Sequence, residues 1–393
     1  MHVALVGPCS PVDVVGLMNR QEAPQARELP GYRGIPVSEL AKNLISVGAR
    51  VTVVSTDSTI SAHNVEFSGP RFRMVVQRSR VRPRDYLHDI YRAERRGIAS
   101  ILRDVAPDIV HAHWTYEFEL AAQDSGLPHV TTAHDAPFTI LRRMRDPYRA
   151  ARLLVALKAR PGIQTLSTVA PNLAQRWSQQ MRYGKPITVI PNSIPTDTLP
   201  AKSRPAKHPV VLDVADAGRL KNIPTLITAH SSVRSCVPGS ELRLVGPGLG
   251  PEGATAQWAV KQGLAAGVTF VGKVSRTQLA HEYSRAWLFA HASYEEACPM
   301  TLLEAHGARL PIVGGVSSGG VPYLLDDGRA GWLTDVGDPR ALASTIAHLL
   351  QNGPPAIQPG TTRYIEDNFT PQSVTEKYLA FYEGALAGDW SVS

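Results

Sequence analysis

The sequence predicts an α/β protein of two domains, each a parallel sheet covered by helices. Three observations carry this. Short apolar runs alternate with helix-like stretches along the first half. A polar, proline-rich stretch, TDTLPAKSRPAKHP (196–209), has no apolar period and breaks the alternation, which then restarts. The 393 residues are enough for two ordinary cores.

The first domain is expected over 1–195. Its strands are HVALVG (2–7), RVTVVST (50–56), PDIVHAHW (107–114), PHVTTAHD (128–135) and ITVIPNSI (187–194), the third and fourth each entering after a proline. VSELAKNLISVG (37–48) has helical spacing and stops at Gly48, and TLSTVAPNLAQRW (165–177) reads as a strand followed by a helix from near Pro171. Residues 196–209 are the linker. The second domain, 210–370, begins with VVLDVADA (210–217), a helix around PTLITAHSSV and LRLVGPG (242–248). VTFVGKV (268–274), WLFAHASYEE (287–296) and PIVGG (311–315) complete the strands found in it. A last helix is expected over 371–393.

A hydrophobic share of 43% and a charged share of 19% fit a globular chain and exclude a disordered one. Cys9, Cys236 and Cys298 are too scattered for a metal pattern or a disulfide framework, which points to a reducing compartment. MHVALVG lacks a basic leader, and no run reaches the roughly 18 apolar residues of a membrane span. The expected location is therefore cytoplasmic or peripheral to a membrane. Charge is uneven: residues 1–200 hold 25 Lys and Arg against 17 Asp and Glu, and residues 201–393 hold 16 against 17. Ten arginines lie in 71–103, and RRMRDPYRAARLLVALKAR (142–160) mixes seven basic residues with an apolar stripe. That segment reads either as an amphipathic helix drawn to anionic lipid or as an ordinary solvated helix face. Nucleic acid is not expected, because the basic stretches lack interleaved aromatics.

The densest chemistry is EACPMTLLEA (296–305). Pro299 suits a first helical position, and the amides of Met300, Thr301 and Leu302 would then face an anion. Glu296 precedes the helix and Glu304 lies just over a turn into it. A loop carboxylate, a row of amides and a helical carboxylate suit a nucleotide-diphosphate sugar; the same residues would also make a plain core helix with a favourable dipole.

ASYEEACPMTLLEAHGARLPIV resembles the signature of the retaining glycosyltransferases of glycosyltransferase family 4 (glycosyl transferases group 1). These have the GT-B architecture of two Rossmann-like domains whose parallel sheets face across a cleft. Glu296 and Glu304 fall on the two signature glutamates; His306 and Arg309 depart from the pattern. VADAGRLKNIPTLITAH resembles the family's strand, basic loop and helix, with Arg219 and Lys221 in a shortened loop as the diphosphate ligands. GIPVSELAKNLISVGARVTVVS resembles the opening glycine turn, with Arg33-Gly34 where two glycines are usual. The resemblance implies donor contacts from Gly34, Val271, Gly272, Cys298, Pro299, Met300 and Thr301, ribose contacts from Glu304, and sugar contacts from Glu296 and, across the cleft, from His134. His113 and Trp114 would line the acceptor cleft, and the last helix would cross back to the first domain.

Cys298 reads as a small packing residue. His111 and His113 are taken to point to opposite faces of their strand, which would keep them from sharing a metal. The 26 residues before Gly34 are expected to form an acceptor-side lid. Together these readings imply retaining transfer from a nucleotide sugar to a glycan or lipid-linked acceptor, with no cofactor and no metal. A non-catalytic sugar-nucleotide-binding subunit, or a phosphorylase or epimerase on the same fold, is the alternative.

Overall fold

The computed structural model describes residues 1–61, 63–195 and 204–388. They fall into two units, Met1–Ser193 together with the chain from Pro371, and Ile194–Thr370. The expected linker lies partly outside the described residues. Its described end is held to the second unit: Arg204 N–H donates to Ser284 O (2.8 Å) and the Trp287 indole donates to Ala206 O (2.8 Å).

In the first unit the elements run β1 (His2–Val6), α1 (Ala23–Glu28), α2 (Ile35–Ser46), β2 (Arg50–Asp57), β3 (Asn64–Gly69), β4 (Phe72–Arg78), α3 (Pro83–Leu87) and α4 (Arg92–Val105). They continue through β5 (Ile109–His113), α5 (Glu117–Ser125), β6 (His129–Ala133), α6 (Pro137–Met144), α7 (Pro147–Ala159), β7 (Leu166–Thr168), α8 (Pro171–Gln180) and β8 (Ile187–Val189). The sheet order is β3-β4-β2-β1-β5-β6-β7-β8, parallel except for the antiparallel β3–β4 edge pair. Residues Val3 to Val6 are fully buried because helices cover both faces. Val3 and Leu5 join the core under α2, whereas Ala4 and Val6 join the core under α4 and α5.

The second unit runs β9 (Val210–Val214), α9 (Ile223–Cys236), β10 (Glu241–Val245), α10 (Ala254–Lys261), β11 (Val268–Gly272), α11 (Arg276–Arg285), β12 (Leu288–His291) and α12 (Met300–Gly307). Then come β13 (Ile312–Gly315), α13 (Val321–Leu324), β14 (Trp332–Thr334), α14 (Pro339–Leu350) and α15 (Thr361–Asn368). Its sheet, β11-β10-β9-β12-β13-β14, is wholly parallel. The final helix, α16 (Pro371–Ala387), belongs to the first unit, where Val374, Tyr378, Phe381 and Tyr382 are buried in the core with Leu40 and Leu44 of α2.

Both sheets reverse strand order once, at β1/β5 and at β9/β12. Crevices outside the carboxyl ends of strands at such reversals are where doubly wound sheets bind ligands.

Two expectations change here. The stretch before Gly34 is packed structure and not a free lid. It forms a 3₁₀ turn, Pro11–Leu17, and α1, with Cys9, Val14 and Ala26 fully buried in the core. Asn19 N–H donates to Ser68 O (2.7 Å) and Ser68 N–H donates to Glu22 Oε2 (2.7 Å), fastening it to β3. The 142–160 segment is not one amphipathic helix. Arg145 takes a left-handed turn (φ 53°) between α6 and α7, and Arg152 is buried instead of solvated.

Candidate functional site

At the β9/β12 reversal two loops meet. The loop after β9 tightens through Asp216, whose Oδ1 accepts from Gly218 N–H (2.6 Å), and closes in a 3₁₀ turn over Arg219–Lys221. Asn222 then starts α9 in a left-handed conformation (φ 57°); its amide donates to Val336 O (2.8 Å) and its Oδ1 accepts from Thr225 (2.6 Å).

The loop after β12 is pinned on both sides. Tyr294 N–H donates to Leu220 O (2.8 Å), Gly320 N–H donates to Glu296 O (2.8 Å), and the Ser318 hydroxyl donates to Ser293 O (2.5 Å). Gly319 has φ 63°, and a Cβ there would stand 2.2 Å from Glu296 O, so only glycine lets the chain pass this close. Sequence reasoning missed Gly319 and Gly320; their signal was a Gly-Gly pair just after a buried strand.

These pins bring Lys221 Nζ to 2.6 Å from Glu296 Oε1. His291 Nε2, at the end of β12, lies 3.5 Å from the same oxygen. Burial pushes the Glu296 carboxyl up, but the His291 contact and the Lys221 charge overcome it and hold it at about 2. Lys221 is held above the usual lysine range: burial opposes its charge, and Glu296 more than compensates. Arg219 stands exposed on the same turn, in no ion pair among the described residues. Asp213, fully buried on β9, has neither carboxylate oxygen hydrogen-bonded, and burial pushes it up to about 6. Neither His291 nor Asp213 was singled out in the sequence.

Pro299 sits one place before the helix, as the cap of α12, and Leu302 N–H turns back to donate to Pro299 O (3.2 Å). The outward amides are therefore those of Met300 and Thr301. Glu304 is buried, with Oε2 accepting from the Tyr283 hydroxyl (2.7 Å) on α11. Cys298 is buried and in no disulfide. Val271 and Gly272 lie on β11, two strands from β9; Gly272 (φ 76°) packs with its Cα region against Gly250 and accepts from Gly246 N–H (2.8 Å).

In the first unit, Gly34 caps α2, and a Cβ there would meet Pro8 O at 2.0 Å. The histidine expectation is corrected. Residues two apart in a strand share a face, so the His111 and His113 ring centres lie 4.0 Å apart, their planes tilted by 32°. His113 Nδ1 lies 2.9 Å from His134 Nε2, on the neighbouring strand end. His111 is taken up by Tyr382 and Thr132, each 2.7 Å away. Burial lowers His134 to about 4 and His113 well below its ordinary value, so this trio is neutral.

Trp114 leaves β5 with φ 72° and meets Tyr32 edge-on at 5.3 Å. Arg152 of α7 lies 3.6 Å from the Tyr116 ring centre and 5.2 Å from that of Trp114, with Glu117 3.5 Å from its guanidinium. The sequence had counted Arg152 among surface charges.

The description Glycosyl transferases group 1 matches residues 196–364, and Glycosyltransferase Family 4 matches residues 37–198. D-inositol 3-phosphate glycosyltransferase of Mycolicibacterium smegmatis is 28% identical over 49% of this chain; the match spans 42% of that protein, less than half its length. N-acetyl-alpha-D-glucosaminyl L-malate synthase of Bacillus anthracis is 23% identical over 91% of this chain and 95% of its own. Sucrose-phosphate synthase of Thermosynechococcus elongatus shares the fold at a TM-score of 0.79, with 18% identity over 99% of this chain and 100% of that one. Anabaena Alr3699/HepE, solved with UDP-glucose, does so at 0.66, with 15% identity over 98% and 100%. With each half of the chain matched and two parallel-sheet Rossmann-like units in place, this chain belongs to glycosyltransferase family 4, with the GT-B fold.

Proposed function

We propose that this chain is a retaining glycosyltransferase that moves a sugar from a nucleotide-diphosphate donor to an acceptor hydroxyl without a metal. The observation that carries this is the Lys221–Glu296 contact, 2.6 Å long, beside the start of α12 at a strand-order reversal. Solved neighbours bound to UDP and UDP-glucose support the donor class.

Lys221 and Arg219 take the diphosphate, together with the amides of Met300 and Thr301. As the anomeric carbon–oxygen bond breaks, the leaving oxygen gains charge that these groups stabilise. The acceptor oxygen bonds to the same carbon on the same face, and its proton passes to the departing phosphate. Glu296, held ionised, orients the sugar hydroxyls, and Glu304, steadied by Tyr283, accepts from the ribose. His134, neutral and tied to His113, serves the sugar as a hydrogen-bond partner, and Trp114 with Tyr32 and Arg152 receives the acceptor.

Three cysteines in no disulfide, Cys236 exposed among them, support a cytoplasmic setting. Exposed Arg142, Arg143 and Arg145 with exposed Phe138 support contact with an anionic membrane face and a glycan or lipid-linked acceptor there.

The test is a calorimetric panel of UDP, GDP, ADP and TDP sugars with and without a chelator, followed by acceptor-dependent release of the diphosphate and proton NMR of the product anomer. Binding that survives chelation and an axial-to-axial or equatorial-to-equatorial product are expected. Chelator-sensitive turnover or an inverted anomer would overturn the respective part.

A further inference from the structure

Lys221 Nζ, from the loop after β9, and His291 Nε2, from the end of β12, converge on one oxygen, Oε1 of Glu296. The lysine makes a close ion pair; the histidine stands off at 3.5 Å. His291 is fully buried, and neither of its ring nitrogens has a hydrogen-bond partner. A buried polar atom left without a partner is destabilising, and such exceptions call for an explanation. Phe289 stacks on the ring (centroids 6.2 Å apart, planes at 15°), so the imidazole is held in place by apolar packing and not by a hydrogen bond.

The charges around it are few. Glu296 and Lys221 face it from the two loops, Asp213 acts on it from β9, and the Tyr283 hydroxyl of α11 is occupied by Glu304. Lys221 and Glu296 neutralise each other. On the donor reading above, on which this inference rests, Lys221 must turn to a diphosphate carrying two negative charges. Glu296 then loses its ion-pair partner in a buried place that also holds Asp213. An unpaired buried carboxylate is costly, and among the described residues the one further cation-forming group recorded against Oε1 is His291.

We propose that His291 is a positioning residue that inherits Glu296 when the donor draws Lys221 away, taking a proton from solvent and closing on Oε1 to hold the carboxylate for the sugar. Donor binding is then linked to proton uptake. The 3.5 Å stand-off is the open half of this exchange, and Nε2 closes to full hydrogen-bond distance from Oε1 once the donor holds Lys221. Asp213, which burial pushes up to about 6, is the competing proton site in the same cluster and has to be tested beside it.

The experiment is titration calorimetry of UDP-glucose, UDP-N-acetylglucosamine, GDP-mannose and ADP-glucose, in phosphate, HEPES and Tris near pH 7.5. The dependence of heat on buffer ionisation enthalpy counts the protons taken up. The wild-type chain is expected to take up about half a proton or more with the donor that binds. His291→Gln should take up none and Asp213→Asn should keep the uptake. At pH 7.5 the His291 ring resonances of the wild-type protein, followed by NMR, should move to imidazolium positions on donor addition, a readout that needs no variant to fold. Donor binding without proton uptake overturns the inference and leaves the donor reading intact. Uptake that persists in His291→Gln, or vanishes only in Asp213→Asn, assigns the proton elsewhere and also overturns it. Binding of none of the four sugars removes both.

Discussion

Glu296→Gln isolates the ion pair at the centre of the second unit. The carboxyl is held at about 2 against an ordinary 4.5, and its side chain is only 13% exposed, so solvent screens the interaction little. That difference is linked to about 3 kcal/mol of stability at neutral pH. The sign follows from which state binds protons first. As pH falls, the unfolded carboxyl protonates near 4.5 while the folded one stays ionised to about 2, so the stabilisation is complete above 4.5 and drains away between 4.5 and 2. Glutamine keeps the shape without the charge, and Lys221, at 27% side-chain exposure, can turn to water. The assay is urea unfolding of both proteins at steps from pH 7 to pH 2.5, followed by tryptophan fluorescence. Wild type should exceed the variant by about 3 kcal/mol at pH 7, and the gap should close toward pH 2.5. A gap of the same size at both ends would mean lost packing and not a lost charge, and the ion-pair argument would fail.

Asp213→Asn should do the opposite. Its folded carboxyl sits near 6 against 3.8, so its contribution is present below 3.8 and lost as pH rises through 6; the variant should gain about 3 kcal/mol on wild type at pH 7.5 and nothing at pH 3.5. A less stable variant at pH 7.5 would refute the burial argument. Gly319→Ala drives a Cβ to 2.2 Å from Glu296 O and adds a left-handed penalty of about 1–2 kcal/mol. By displacing Glu296 it should cost on the order of 10²-fold in turnover, and wild-type kinetics in a folded variant would show that the loop is not pinned there. Lys221→Ala should slow turnover on the order of tenfold or more through lost charge stabilisation; unchanged kcat removes it from the diphosphate. Reversing Arg142, Arg143 and Arg145 to glutamate should release the protein from phosphatidylserine vesicles in a sedimentation assay, and equal binding by both proteins would end the membrane proposal.

The alternation of strands and helices was legible because parallel strands covered on both faces are near-continuous apolar runs, as in the VALV of β1. Most runs overshot their strands at the carboxyl end: PDIVHAHW contains only Ile109–His113, since the residues beyond leave the sheet to build loops. The β3–β4 edge was invisible for a different reason. FRMVVQR lies in the arginine-rich tract and was counted as charge, yet Arg73 pairs with Glu66 across the hairpin, and Arg80 and Arg95 are taken up by Asp89, Glu94 and Asp124. Composition reports how many charges a segment carries and not how many are already neutralised. The His111–His113 error came from misapplying the two-residue period, which places such a pair on one face.

The site was legible as two motifs but not as a site. Lys221 and Glu296 are 75 residues apart, and they meet because β9 and β12 are neighbours in the sheet although β10 and β11 lie between them in the chain. Strand order is decided by which helices cover which face, information spread over the whole unit and carried by no motif. What the sequence did offer was an exception to its own pattern. In VVLDV a carboxylate interrupts an otherwise apolar strand, and a charge in a fully covered strand costs free energy that packing cannot recover. Read as a breach of that rule, Asp213 points to the carboxyl end of β9 before any coordinates do, and with it to the loop that carries Lys221. His291 breaks the run LFAH in the same way on the adjacent strand. Two buried titratable groups at neighbouring strand ends are poor core, so they mark the carboxyl ends of β9 and β12 as the place where the sheet departs from plain apolar packing.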